Sequence, residues 1–314
     1  MSLLEKASII TTPTAYGVGV LNSIKPAIPV GGADFDFTRT SSATRVNPDY
    51  LIETVSINSD NLVQNGNFSE LGSEAVTNGD FATDSGWTKE AGWTISEGTA
   101  NFSGGTGNRA MYQAIGITNG KTYKIQYEVS SISAGQVAVR FGGMSGVDEI
   151  TATTIGIYTG YITATGSANG NIHIEDNDNN FVGSIDNISV KQVDPNDEWV
   201  VGTGWSYGTN KITHSSGTGS ASRLKQLGFN NTSVYKLTIT ITNKGANTYR
   251  IFNGAGSTVS LLEGTNTYSV SGLLAGQLII EPINHPGGDV EFSNISVIEI
   301  QENGVPRLDY TNGT

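Results

Sequence analysis

The chain lacks several features on which common functions depend. Its 314 residues include no cysteine and only three histidines, and Lys and Arg number 17 against 29 Asp and Glu, for a net charge of −12. Without cysteine there is neither a disulfide framework nor a thiolate metal site. Without a basic run there is no surface to neutralise phosphates, so we expect no nucleic-acid partner and no anionic membrane partner.

Long apolar segments are also missing. No run approaches the roughly 20 apolar residues of a membrane span, so we expect no membrane insertion. The first eight residues include Glu5 and lack the apolar core of a secretory signal, which predicts synthesis in a cytoplasm.

The chain is rich in glycine, and apolar and polar residues alternate along several of its segments. Forty glycines and only 15% charged residues are typical of a turn-rich all-β protein. In residues 123–129 and 235–242, apolar side chains alternate with polar ones, the period of a strand with one buried face. Turn dipeptides such as Asn119-Gly120 separate these runs. The sequence therefore predicts antiparallel β-sandwich (jelly-roll) domains.

The pattern occurs twice. The closing tetrapeptide Asn-Ile-Ser-Val stands at 187–190 and again at 294–297, and a strand at Tyr123 is matched by one at Tyr235. This order predicts a tandem duplication whose copies each have the size of an independent domain. We predict an extended N-terminal segment, two sandwiches and a short tail, with the bounds 1–60, 61–194, 195–301 and 302–314.

Two details follow from this alignment. Trp205 of the second copy matches Trp87 of the first. The boundary string Asp194-Pro-Asn-Asp197 is polar and contains a proline, which predicts an exposed hinge that proteases cut first.

No motif predicts catalysis. The string Gly204-Trp-Ser-Tyr-Gly208 fits a nucleophile elbow, but a strand-like segment follows where that motif needs a helix. The acidic segment 175–180 lacks the glycine and the terminal glutamate of an EF-hand. We therefore predict that the protein is not an enzyme and has no catalytic residue, with a glycan depolymerase as a distant third hypothesis.

Aromatic residues are the stronger lead. Flat aromatic faces beside polar side chains stack on sugar rings, which makes candidate glycan-binding residues of Trp87, Trp93, Tyr112, Trp205 and Tyr207. The alternative is that these rings belong to the sandwich cores, where most aromatic residues of such domains lie.

The ends of the first copy resemble a known family. Residues 62–81 and the closing segment 183–190 are similar to the opening and closing strands of jelly-roll carbohydrate-binding modules. The resemblance implies glycan binding and a structural calcium ion between the first and last strands, with Asp80 and Asp186 as its ligands. The second copy has Ser293 where the first has Asp186 and no opening segment of its own, so calcium is expected in the first copy only.

The flanks resemble a different family. Residues 34–47, 51–53 and 305–313 are similar to segments of tailed-bacteriophage virion proteins, particularly tail and fibre proteins. The resemblance implies a virion structural protein, made in the host bacterial cytoplasm, that attaches to other virion proteins through residues 1–55. Its sandwiches would then serve as a fibre, adhesin or decoration that contacts host glycans.

The apolar side chains of residues 1–55 are too many for so short a segment to bury, so they need partners. A homo-oligomer, with a trimer favoured, would supply them, as would another virion surface. The alternatives are a disordered leader at this end and, for the whole chain, a stand-alone polysaccharide-binding protein.

Overall fold

The computed structural model describes residues 59–300, except 106, 108, 145–147 and 254–257, together with four short strands nearer the N-terminus. The chain divides into one unit of residues 1–55 with 305–314 and another of residues 56–304. Two antiparallel pairs are described in the first unit: β1 (Tyr16–Gly17) with β2 (Val20–Leu21), and β3 (Ala43–Val46) with β4 (Ile52–Val55). Otherwise the predicted attachment segment, up to residue 58, and the predicted tail 302–314 lie outside the described residues.

The first sandwich has eleven strands: β5 (Leu71–Glu74), β6 (Thr88–Lys89), β7 (Trp93–Ser96), β8 (Thr99–Phe102), β9 (Ala110–Ala114), β10 (Thr122–Ala134), β11 (Val137–Phe141), β12 (Ile150–Ala152), β13 (Gly156–Thr163), β14 (Asn171–Asp176) and β15 (Val182–Val193). One sheet follows the order β13-β10-β15-β8-β7, with β5 also paired to β15. The other sheet follows the order β12-β11-β14-β9-β6.

The second sandwich has ten strands: β16 (Trp199–Val201), β17 (Trp205–Gly208), β18 (Lys211–His214), β19 (Leu224–Leu227), β20 (Val234–Thr242), β21 (Thr248–Phe252), β22 (Thr258–Leu261), β23 (Gly264–Ser271), β24 (Gln277–Asn284) and β25 (Val290–Ile300). Its sheets follow the orders β23-β20-β25-β18-β17 and β22-β21-β24-β19-β16. Strand for strand this is the order of the first sandwich, so the predicted all-β antiparallel fold is confirmed.

Helix is confined to two short 3-10 turns, Gly219–Ser222 and Leu274–Gly276, within the described part of the second unit. Among the described residues there is no helix whose length and apolar character would let it span a bilayer.

Alternation along the central strands builds both cores. In β10 the buried side chains are Tyr123, Ile125, Tyr127 and Val129, and the intervening ones face outward. Strand β20 repeats the pattern, with its apolar positions 235, 237, 239 and 241 buried. Each fully buried side chain of this size contributes roughly 1.5–3 kcal/mol, so each of these strands contributes several kcal/mol to the stability of its sandwich.

The second sandwich does have an opening segment, and it precedes the first sandwich in the chain. Leu62 N donates to Val297 O at 2.8 Å, and Ile295 N donates to Gly66 O at 2.8 Å. The side chains of Val63 and Phe68 belong to the second core. The expectation that the second copy has lost its opening is therefore wrong, and residues 62–68 pack with the second sandwich although they fall inside the segment predicted for the first.

The first sandwich has the same closure thirteen residues later. Ala75 N donates to Val190 O at 2.9 Å, and Ile188 N donates to Gly79 O at 2.9 Å. A Cβ on Gly79 would lie 2.1 Å from the carbonyl oxygen of Ile188. A Cβ on Gly66 would lie 2.0 Å from the equivalent oxygen of the second sandwich. Only glycine allows the closing strand to approach each opening turn so closely.

The hydrogen bonds of two tryptophan side chains show where the first sandwich is inserted into the chain of the second. Trp87 Nε1 donates to Asn78 O at 3.1 Å, and Trp199 Nε1 donates to Asn65 O at the same distance. Trp199 is therefore the counterpart of Trp87, and Trp205 that of Trp93, which corrects the alignment made from sequence. In the first sandwich only residues 82–86 separate the opening segment from this tryptophan, whereas in the second the whole first sandwich occupies that connection.

Asp194 lies where the chain passes from the first sandwich to the second, and it is hydrogen-bonded to residues on both sides of this connection. Its carboxylate, 3% exposed, accepts hydrogen bonds from Asn65 Nδ2 at 3.0 Å, Trp199 N at 2.9 Å and Tyr207 OH at 3.1 Å. Its own N–H donates to Glu70 O at 3.2 Å. Asp194 itself is therefore not an exposed hinge residue, whereas Asn196 and Asp197 of the same string are exposed, so first cleavage by proteases at 194–197 stays a prediction.

Candidate functional site

Two of the predicted glycan-binding residues lie in the first core. Trp87 and Trp93 are 7% and 4% exposed. Their rings pack against Phe81 and Phe102, with centroids 5.5 and 4.9 Å apart. Trp93 Nε1 donates to Arg109 O at 3.1 Å. Because neither indole presents a face to solvent, neither offers a stacking platform for sugar.

The two aromatic candidates of the second sandwich line a cavity of about 330 Å³ between the sandwiches. Trp205 is 8% exposed, and its ring packs against His214 at 4.6 Å and Phe292 at 4.9 Å. Tyr207 is half-buried. Burial, followed by the neighbouring charge of Asp194, raises the pKa of Tyr207, so its hydroxyl stays protonated and serves as a donor.

Tyr112 differs from these four residues in both place and exposure. It is half-buried on the outer face of the five-stranded sheet of the first sandwich and lies directly across from His173 in β14. The two rings stack with centroids 5.1 Å apart and an interplanar angle of 20°. Arg140, opposite His173 on β11, is paired with Glu175. An aromatic ring, a donor and an acceptor therefore share one face of this sheet.

Burial sets the protonation state of His173, whose imidazole stacks on Tyr112. Desolvation is the largest cause that lowers the pKa of His173, Glu175 opposes it, and the charge of Arg140 adds to it. The ring is therefore neutral at pH 7, and the stack with Tyr112 carries no charge of its own.

The corresponding face of the second sandwich is built differently. The side chain of Gln113 bonds to both the N–H and the carbonyl of Thr77, and that of Gln226 bonds in the same way to Gln64. Gln226 is therefore the counterpart of Gln113, and Lys225, one residue earlier, takes the position of Tyr112. Further along this face Glu281 pairs with Arg223 and Arg250.

Both guanidinium groups of this face lie over Phe252, at 4.0 Å for Arg223 and 5.0 Å for Arg250. The aromatic ring of this face is therefore covered by two arginines, whereas Tyr112 stays half-exposed.

The predicted calcium ligands lie beside a third carboxylate. Asp80 is exposed and Asp186 half-buried, and Asp186 pairs across strands with Glu128. Burial raises the pKa of Asp186, and the charges of Glu128 and Asp80 raise it further. Among the described residues no three His, Cys, Asp or Glu side chains are grouped closely enough to hold a metal ion. Calcium at Asp80 and Asp186 therefore stays a prediction.

A hydrogen-bonded chain in the second core could not be found from sequence. Ser222 Oγ lies 2.8 Å from His214 Nε2, and His214 Nδ1 lies 2.9 Å from Tyr249 OH. The order resembles a nucleophile with its base, but His214 and Ser222 are 0% and 1% exposed. The glycine-flanked string 204–208 forms strand β17, not an elbow before a helix.

The sequence matches no family model and no curated protein. Among solved structures the chain is similar to the N-terminal CBM22-1–CBM22-2 tandem domain of Paenibacillus barcinonensis Xyn10C, with 10% identity, a TM-score of 0.30, and coverage of 73% of this chain and 98% of that one. A CBM4 structure matches with 18% identity, a TM-score of 0.26, and coverage of 41% and 99%. Likenesses this remote carry no conclusion about ligand or function, and the fold assignment rests on the strands themselves.

Proposed function

We propose that the protein is a non-catalytic display protein whose first sandwich binds glycan through the outer face of its five-stranded sheet. The observation that carries the proposal is the half-buried Tyr112, whose ring stacks on His173 and is flanked by the Arg140–Glu175 pair. Pyranose rings have an apolar face that stacks on phenol, and hydroxyls that bind guanidinium and carboxylate groups. Of the five aromatic residues predicted from sequence, Tyr112 is the one on such a face.

Affinity electrophoresis through gels containing bacterial surface polysaccharides tests this function. Tyr112→Ala should reduce retardation by an affinity loss of about tenfold, because the stacking surface is lost while the sheet remains. Lys225→Ala, at the matching position of the second sandwich, is the control and should leave retardation unchanged. Undiminished retardation of Tyr112→Ala, or no retardation of the wild type by any polysaccharide, would contradict the proposal.

We further propose that the sandwiches are carried on a bacteriophage virion, as a fibre, adhesin or decoration attached through residues 1–55. The resemblance of residues 34–47 and 305–313, which flank the sandwiches in the sequence, to segments of tailed-phage virion proteins supports this role. A self-associated trimer through the same residues would bury their apolar side chains.

Particle assembly with and without residues 1–55 tests the virion role. The full chain should be recovered on purified particles, and the truncated chain should stay free while both sandwiches remain folded. Light scattering of the two proteins should show a trimer that becomes a monomer on truncation. Full particle occupancy by the truncated chain would refute attachment through this segment, and a full chain that binds polysaccharide but no particle would favour the stand-alone reading.

A further inference from the structure

The cavity between the sandwiches is built by both of them and by the chain that crosses from one to the other. Thr122 and Thr163 line it from the first sandwich, Asp197 from the crossing chain, and Val201 and Trp205 from the second sandwich. Because each side contributes only part of the lining, the pocket exists through the insertion of one sandwich into the other.

The second sandwich contributes an aromatic and aliphatic wall. Trp205 and Tyr207 lie on β17, and Val201 lies on the neighbouring segment β16. The hydroxyl of Tyr207 is held by Asp194, which fixes the ring in the cavity wall. A rigid wall of this kind offers an apolar contact without the entropic cost of ordering side chains on binding.

The opposite side is polar. Lys121 and Asp197, which both line the cavity, form an ion pair. The hydroxyls of Thr122 and Thr163 lie 2.8 Å apart and bond to each other. Asp194 keeps its negative charge, which three hydrogen bonds stabilise. The lining therefore disfavours an anion and suits a ligand that has both hydroxyl groups and an apolar face.

We propose that this cavity binds a single neutral sugar residue, such as the terminal residue of a glycan, between the two sandwiches. A cavity of about 330 Å³ has room for one hexose. The inference deepens the proposed glycan binding and rests on it for the ligand class. It places a second site on residues that do not include Tyr112.

Titration of the full chain with D-glucose, D-galactose, D-mannose and N-acetylglucosamine tests the site. At least one of them should shift the backbone amide signals of Thr122 and Thr163 and change indole fluorescence from Trp205, with a dissociation constant in the millimolar range. Thr163→Val, which removes one hydroxyl and keeps the shape, should weaken the response several-fold.

A matched pair of substitutions separates the cavity from the surface. Val201→Trp should fill the cavity and weaken the titration at least about tenfold, whereas Val200→Trp, on the exposed side of the same strand, should change it less than about twofold. The proposal is overturned if no sugar gives a response up to about 0.1 M, or if Val201→Trp titrates like the wild type.

The cavity site and the Tyr112 site can be tested separately. Tyr112→Ala should leave the cavity titration intact, because Tyr112 is not part of the lining. If the cavity responds while polysaccharide retardation does not depend on Tyr112, the sheet-face proposal fails and the cavity stands. If retardation depends on Tyr112 but the amides of Thr122 and Thr163 do not move, the cavity proposal fails alone.

Discussion

The two sandwiches have the same strand order, yet equivalent positions carry different chemistry. Asp80, Glu128 and Asp186 of the first correspond to Asn67, Thr240 and Ser293 of the second, so a group of three carboxylates becomes a group of three neutral side chains. The turns that seal the two cores have been kept. Asn187 and Asn294 in the closing strands both have a φ of +51°. Backbone closure therefore defines the fold in both sandwiches, while the outward-facing side chains differ between them.

The cores differ at one polar position. In the first sandwich Phe102 packs on Trp93, and in the second His214 takes that place on Trp205. His214 is buried and bonded on both ring nitrogens. The second core therefore depends on a neutral imidazole where the first has only an apolar ring.

The largest expected effect comes from removing the opening segment of the second sandwich. A chain that begins at residue 69 lacks Val63 and Phe68 and the hydrogen bonds to β25, a loss on the order of 6 kcal/mol. This is comparable with the whole stability of a domain, so the second sandwich should unfold while the first stays folded. NMR spectra resolve the two sets of signals.

The control for this truncation begins at residue 59, and it should keep both sandwiches folded. Equal spectra from the two truncated chains would show that residues 59–68 do not complete the second sandwich. The same two truncated chains would also show whether residues 61–68 belong to the first sandwich, as the predicted domain bounds have it, or to the second.

Matched glycine substitutions address each sandwich separately. Gly66→Ala should destabilise the second and Gly79→Ala the first, each by about 3 kcal/mol, because the new Cβ meets a backbone carbonyl that cannot move away. Gly166→Ala, which meets nothing within 4 Å, should be neutral. Urea unfolding monitored by residue-specific signals would measure this, and the idea fails if both alanines weaken the same sandwich.

Acid should affect the second sandwich more than the first. Burial, together with the nearby His285, lowers the pKa of His214 to about 4. The unfolded chain, with a pKa near 6.5, binds this proton more readily, so stability is complete above pH 6.5 and falls as the pH drops toward 4. We expect a loss of about 3 kcal/mol over that window. His173, also of lowered pKa but only half-buried, gives the first sandwich a weaker dependence of the same sign.

His214→Phe, which copies Phe102 of the first sandwich, is the test of this assignment. It should flatten the pH dependence of the second sandwich between pH 4 and 6.5 even if it lowers the stability at neutral pH. Thermal melts across this range that keep the wild-type slope in the variant would show that His214 is not the titrating group.

The smallest expected effect is that of calcium on the first sandwich. Burial, followed by the charges of Glu128 and Asp80, raises the pKa of Asp186, and a bound cation would offset both effects. At ten times its dissociation constant calcium would stabilise the sandwich by about 1.4 kcal/mol. Chelation should lower the melting temperature of the first sandwich only, and Asp186→Ser, the residue of the second sandwich, should abolish the response. A melting curve that chelator leaves unchanged would remove calcium from this site.

The strands and the duplication could be predicted because they are local. Alternation around Tyr123 and Tyr235 and the repeated closing tetrapeptide are readable within a few residues. The pairing of residues 62–68 with Ile295 and Val297 could not, because partners more than 200 residues apart leave no periodic signal. The sequence did contain one indication, because Asn-Gly-x-Phe occurs at both 65 and 78. One sandwich needs a single opening segment, so the second occurrence indicates an opening segment for the other sandwich.

The glycan site was only partly predictable for a different reason. An aromatic residue within an alternating strand has a definite face, but the turns on either side decide whether that face is core or surface. Trp93 and Tyr112 look alike in sequence, yet the structure buries the first and leaves the second half-exposed. The cavity needs residues from both sandwiches, so no local pattern foretells it.

The described body of the two sandwiches begins and ends at one place. Ser59 Oγ accepts a hydrogen bond from Glu299 N at 2.9 Å, and the strand hydrogen bond from Leu62 to Val297 follows directly. A polypeptide that leaves a scaffold at one point and returns beside it can be spliced into a surface loop without stretching that loop. The two ends of residues 59–300 thus lie side by side, as the insertion of this part into a loop as one piece requires.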